Sequence, residues 1–322
     1  MPISHRGSAL GFLGAVLLVE VLARSSFFVD RPVPLALTGM HHKAAWLDAQ
    51  PPADILIVGD STANRGIDAR LFGEVAGQRT LNASYTSGSS IVMRFMLTGL
   101  AKPPKVIVFG EFPLGLSDDW PAAPHEVDAA TWRERTTLIE PGEALLGTFW
   151  ASYRRRTAIS EWLAAHWRGP LAEREIPDDA WGGRAIETPP KLSPSLAEDL
   201  WRLWAIGEPP RLEARFEAMQ SLAAQWEAQG TRVVYVLMPM ASALRDVAAQ
   251  HSRQPRLPLD SLHRIADPHD SVVLDARSAV PDDGFYDVDH LRKGPWRDAF
   301  TRRLAEAVRD KRDSLAPVTV GG

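Results

Sequence analysis

Five short runs, four of them apolar, each stopped by turn residues and mostly separated by stretches of helical spacing, constrain this chain more than any other feature. They are "DILIVGD" from position 54, "RTLNAS" from 79, "KVIVFGEF" from 105, "TRVVYVLMP" from 231 and "SVVLDAR" from 271. Short apolar runs of this kind read as strands buried on both faces. Between them, "ARLFGEVAG", "IVMRFMLTGL" and "RLEARFEAMQSLAAQWEAQG" space their apolar residues as helices with one buried face do. Gly230 stands where a C-cap is wanted, and Pro295 suits the first turn of a last helix, "GPWRDAFTRRLAEAVRDKRDSL". Strand and helix in alternation predict an α/β fold: a three-layer α/β/α sandwich around a parallel sheet, with ligands at the carboxyl ends of its strands.

That rhythm fails from Ser117 to about Glu208, where Trp120, Trp132, Trp150, Trp162, Trp167, Trp181, Trp201 and Trp204 occur among proline-rich and charged stretches. We expect a helical insertion at about 117–208, its tryptophans packing helices together and "YRRR" at 153–156 forming a solvated face. At 322 residues with 45% hydrophobic content, one main domain carrying such an insertion is the expectation.

The first segment, "MPISHRGSALGFLGAVLLVEVLARSSFFVDRP", runs uncharged from Ala9 to Val19 and stays mostly apolar to Val29. It predicts an N-terminal transmembrane helix, so the expected organisation is an anchor at 1–30 and the α/β domain at 31–322. Glu20 and Arg24 interrupt the run but share one helix face. A signal peptide cleaved after Ala23 is the competing reading, against which apolar character resumes at Phe27, Phe28 and Val29. His5 and Arg6 precede the span, which places the main domain outside the cytoplasm, in the periplasm.

A net charge of −4, with both signs spread along the chain, offers no basic stripe for a phosphate backbone, so nucleic acid is not an expected partner. The chain lacks cysteine, which removes disulfides, thiolate metal sites and a cysteine nucleophile. No glycine-rich phosphate loop follows the first strand, and no cofactor is expected. His41 and His42 are adjacent and "HEVDAA" at 125 lacks the helical spacing of a zinc pair, so no metal site is expected either.

The chemistry is concentrated at strand ends. Ser61 follows the first strand in "ILIVGDSTANRGID", where a serine either caps the next helix or is held as a nucleophile at its N-terminus. A nucleophilic serine needs a base and an orienting carboxylate. Asp287 and His290, three residues apart in "FYDVDHLRKGPWRDAF" before the last helix, supply that pair. Spacing favours Asp287 over the adjacent Asp289 as the orienter, because neighbouring side chains diverge. Glu111, at another strand end, reads as a solvated or capping carboxylate.

"VGDS" after the first strand, "NASYTSG" after the second and D-x-x-H before the last helix together resemble the SGNH (GDSL-like) hydrolase superfamily, over about residues 54–111 and 231–304. The resemblance implies a flavodoxin-like sheet, Ser61 as nucleophile, His290 as general base then acid, and Asp287 as the group that orients the imidazole. It implies an oxyanion hole from the backbone N–H groups of Ser61 and Gly88. The third block departs from the family: "GEFPLG" puts Pro113 where the family has an asparagine, so either Asn82 or Asn64 replaces its amide, the backbone donors suffice, or the fold is inactive. The "GDSTANRGIDARLF" and "FYDVDHL" blocks look most like membrane-anchored extracytoplasmic members that act beside membrane-bound O-acyltransferases. That implies an esterase or O-acyltransferase handling acyl, commonly acetyl, groups of an envelope polysaccharide or lipid. The alternative is a noncatalytic anchored module that binds glycan or scaffolds such an acyltransferase.

Overall fold

The computed structural model describes residues 5–24, 37–85, 90–98, 100–111, 141–150, 153, 179–187, 192–204, 209–250 and 271–315. In chain order its elements are α1 (His5–Arg24), α2 (Leu37–Asp48), β1 (Ile55–Gly59), α3 (Ser61–Gly66), α4 (Ala69–Ala76), β2 (Thr80–Asn82), α5 (Ser90–Thr98) and β3 (Val106–Glu111). There follow α6 (Pro141–Phe149), α7 (Pro194–Trp204), α8 (Pro209–Glu227), β4 (Arg232–Leu237), α9 (Ser242–Gln250), β5 (Val272–Asp275), a 3-10 turn (Asp282–Gly284) and α10 (Pro295–Arg309).

The five strands form one sheet in the order β2-β1-β3-β4-β5, every pairing parallel. This 2-1-3-4-5 order puts the reversal of direction between β1 and β3, where open parallel sheets bind ligands. Successive side chains of a strand point to opposite faces. Thus Ile55, Ile57, Val108, Val234 and Val236 enter one core with Phe72, Leu244, Phe300 and Leu304. Leu56, Val58, Ile107, Phe109, Val233 and Tyr235 enter the other with Met93, Leu97, Met219, Leu222 and Trp226. The first layer comes from α4, α7, α9 and α10, the second from α5 and α8. Phe109 and Tyr235 stack across β3 and β4 with ring centroids 5.4 Å apart. The unalternated apolar runs therefore have a simple cause: both faces of the sheet are covered.

Close approach of α3 to the sheet depends on two paired glycines. Gly59 of β1 and Gly110 of β3 are register partners. A methyl on Gly59 would collide with the Gly110 carbonyl, and one on Gly110 would lie 2.7 Å from Ala63 Cβ. Their bare backbones let the first turn of α3 sit directly on the strand ends.

The chain divides into two compact units, Met1–His42 with Pro121–Glu175, and Lys43–Trp120 with Ile176–Gly322. The sheet belongs to the second. In the first, α1 closes an ion pair between Arg24 and Glu20 at 2.8 Å, and the Arg24 Nη2 group donates to the Phe149 carbonyl at 2.9 Å. Among the described residues no helix is long and apolar enough to cross a membrane. The helix forms over His5–Arg24, and residues 25–30 of the expected anchor lie outside the described residues. Of the tryptophans assigned to the insertion, Trp201 is buried against the first core and Trp181 packs against both, whereas Trp120, Trp132, Trp162 and Trp167 lie outside the described residues, as does "RRR" at 154–156.

Candidate active site

The nucleophile position is built by a cap. Asp60 lies between β1 and α3 in an extended conformation, and its Oδ1 accepts from the Thr62 N–H at 2.7 Å and from the Thr62 hydroxyl at 2.6 Å. Asp60 therefore does the capping, and Ser61 is the first residue of the helix, where backbone N–H groups lack intrahelical acceptors.

The base arrives from the other end of the chain. Between the 3-10 turn and α10 the backbone folds into a narrow hairpin, closed by a Phe285–Leu291 bridge and by the Tyr286 N–H donating to the His290 carbonyl at 2.8 Å. Within it Asp287 Oδ1 accepts from the His290 N–H at 2.8 Å and from the Asp289 N–H at 3.2 Å. The His290 ring then points its Nε2 at Ser61 Oγ, 2.8 Å away across 229 residues of sequence. Its Nδ1 lies 3.0 Å from both carboxylate oxygens of Asp287. With Nδ1 carrying the hydrogen, Nε2 presents its lone pair to the serine hydroxyl. Asp289 is drawn in as well: its Oδ1 is 3.1 Å from the same Nδ1.

The imidazole is 12% exposed, Asp287 18% and Asp289 3%, so these groups interact in a shielded medium. Burial pulls the His290 basicity down, but the Asp289 and Asp287 carboxyls outweigh it and raise the ring well above an ordinary histidine. Burial opposes ionisation of Asp287, yet its hydrogen bonds with His290 and Asp289 hold it well below the usual carboxylate range. Asp289 goes the other way, raised to about 6 by burial against the pull of His290. The donor atoms of Asp287, Asp289 and His290 all lie within 4.8 Å of one another, a convergence that their mutual hydrogen bonds explain.

The two asparagines considered for the oxyanion hole hydrogen-bond to backbone groups. Asn82, fully buried, donates from Nδ2 to the carbonyls of Ala63 at 3.1 Å and Ile67 at 3.3 Å, and its Oδ1 accepts from the Ser84 N–H. Asn64 donates from Nδ2 to the Ser84 carbonyl at 2.7 Å. These side chains brace α3 against the loop after β2. Gly88 and Pro113 lie outside the described residues; Glu111 ends β3, and its side chain is not among those described.

Sequence reading missed a strap formed by residues 179–187. Asp179 Oδ1 accepts from the N–H groups of Trp181 and Gly183, making a tight turn. Gly182 sits there at φ +87°, where a side chain would strike the Asn82 carbonyl and the Trp46 ring. From this turn the Trp181 carbonyl accepts from Asn82 N–H at 2.8 Å, the Arg184 N–H donates to the Asn64 carbonyl at 3.0 Å, and the Ile186 carbonyl accepts from the Lys293 N–H at 2.8 Å. Lys293 Nζ adds an ion pair to Glu187 at 2.6 Å. The strap thus ties β2, α3 and the histidine hairpin together. The Asp179-Gly182-Gly183 turn chemistry was its visible sign, but nothing local indicates where the turn docks.

A cavity of about 160 Å³ lined by Leu47, Leu56, Leu81, Leu100 and Pro104 opens at the amino ends of β1 and β3, the edge of the sheet opposite Ser61, and takes no part in this arrangement.

Fold and site together define a parallel α/β protein with a Ser–His–Asp hydrogen-bond chain at the carboxyl edge of its sheet. No protein-family model matches the chain, and no curated protein does. Among solved structures, a GDSL-like lipase from Bacteroides thetaiotaomicron is similar at a TM-score of 0.40 and 10% identity, over 86% of this chain and 99% of that one. So distant a likeness leaves the chemistry to be read from the geometry of this chain.

Proposed function

We propose that this chain is a serine-dependent esterase, working through an acyl-enzyme. The observation that carries the reading is the 2.8 Å contact of Ser61 Oγ with His290 Nε2, in a ring whose Nδ1 is held by Asp287. Ser61 Oγ attacks the carbonyl carbon of an ester while His290 takes its proton. The tetrahedral intermediate collapses, the C–O bond to the leaving alcohol breaks, and His290 returns the proton to that alcohol. Water, or a second hydroxyl, then attacks the acyl-serine with His290 again as base, freeing Ser61. The oxyanion donor in this reading is the Ser61 backbone N–H, at the first position of α3.

For the substrate, the sequence resemblance is the support: an acyl, commonly acetyl, ester of an extracytoplasmic saccharide or lipid, with transfer to a sugar hydroxyl beside a membrane-bound O-acyltransferase as the extended form of the reading. The reading predicts that a fluorophosphonate, which traps activated serines, forms a covalent adduct that peptide mapping by mass spectrometry places on Ser61. The Ser61→Ala protein stays folded and unlabelled. A folded native protein that acquires no adduct at Ser61 over a broad pH range would overturn it in favour of a noncatalytic module.

A further inference from the structure

Three carboxylate oxygens crowd one imidazole nitrogen: two from Asp287 at 3.0 Å and one from Asp289 at 3.1 Å of His290 Nδ1. The hairpin does not need the third. Its shape is set by the Tyr286–His290 backbone bond, the Phe285–Leu291 bridge and the two N–H groups that Asp287 receives. A side chain that is 3% exposed and carboxylic is also the costliest choice for a purely structural position, since an apolar residue of that size would fill the space without desolvating a charge.

We propose that Asp289 is a positioning residue of this site, a second carboxyl that grips His290 Nδ1 alongside Asp287 and fixes the tautomer and ring plane in which Nε2 faces Ser61. Among the described residues, the charged groups acting on the ring are these two carboxyls of its own hairpin; α3 contributes the neutral Ser61 hydroxyl on the far side. As Nε2 takes the serine proton, the ring becomes positive beside two carboxyls, and both steady the ion. Burial raises Asp289, and the positive ring pulls it back toward ionisation. One hydrogen on Nδ1 bridges to either carboxyl, so neither tilt of the ring breaks the contact.

The proposal rests on the nucleophilic reading of Ser61, and its test separates the two. Asp289→Asn keeps the volume and removes the charge. The His290 ring is titrated by nitrogen–proton correlation spectroscopy, and the rate of fluorophosphonate labelling is followed against pH. The expected result is a His290 midpoint lowered by about one unit or more. The acidic limb of labelling should move down with it, and the loss should fall on the maximal rate rather than on the probe concentration at half-saturation. An unchanged midpoint and limb would overturn the proposal, leaving Asp289 as a core filler. Should Asp289→Asn fail to fold, Asp287→Asn serves instead. With Asp289 still on Nδ1, its His290 midpoint stays above the ordinary value of about 6.5; a midpoint that falls to that value overturns the proposal. A wild-type protein that never labels, but whose His290 midpoint drops in Asp289→Asn, supports the positioning role and defeats the esterase reading alone.

Discussion

Asp60 caps the helix that begins at Ser61, accepting from the Thr62 N–H at 2.7 Å and so freeing the serine hydroxyl to meet His290. In many strand-to-helix turns a serine at this point would itself be the cap. Here the aspartate before it fills that role, and it follows that Asp60→Ala should destabilise the protein by about 1 kcal/mol, the usual worth of an N-cap, while Asp60→Asn retains most of the stability. Denaturant titration of the three proteins checks this; equal stabilities would mean that the cap contributes nothing.

The charge state of His290 governs when Ser61 has a base. Burial lowers the ring's proton affinity, the Asp289 and Asp287 carboxyls raise it by more, and the net shift is upward. Below its midpoint the ring already holds a proton and cannot take one from Ser61. Labelling by a fluorophosphonate should therefore rise with pH through a midpoint above the ordinary histidine value of about 6.5. Rates that are already at their plateau below that value would show that the carboxyls do not act as described.

At the sheet edge, Gly110→Ala places a methyl 2.7 Å from Ala63 Cβ and 3.3 Å from Met238 Sδ. The methionine can yield; the helix backbone behind Ala63 cannot without moving Ser61. The variant should lose about 1–3 kcal/mol of stability, and its labelling should slow by more than an unrelated core substitution of equal cost. Comparison with Leu304→Ala, on α10 in the first core, makes the distinction.

Asn82 separates bracing from catalysis. Its amide is spent on the Ala63 and Ile67 carbonyls, both buried within the helix connection. Asn82→Ala should cost about 1–3 kcal/mol by orphaning them. The residual labelling should keep the wild-type pH dependence, because no oxyanion donor has been removed. A large fall in rate with thermal stability intact would instead make Asn82 an oxyanion ligand.

Much of this was legible in the chain. The apolar runs around Ile55, Val106, Val233 and Val272 became β1, β3, β4 and β5, because strands covered on both faces must be apolar throughout. Ser61, Asp287 and His290 could be named because strand-end motifs are short and local. What stayed hidden depends on tertiary partners. The commitment of Asn64 and Asn82 to backbone carbonyls is invisible until the loop after β2 is placed against α3. Asp289 was set aside because adjacent side chains ordinarily diverge, a rule for regular backbone that the hairpin at Tyr286–Leu291 does not obey. The pairing of Glu20 with Arg24 on one face of the first helix was legible from their spacing of four.

The separation of 229 positions between Ser61 and His290 also ties the site to the order of synthesis. While the chain is being synthesised, the serine emerges well before its base, which lies beyond β5. On the proposed reading, a chain without its last hairpin has a serine but no base, and forms no acyl-serine.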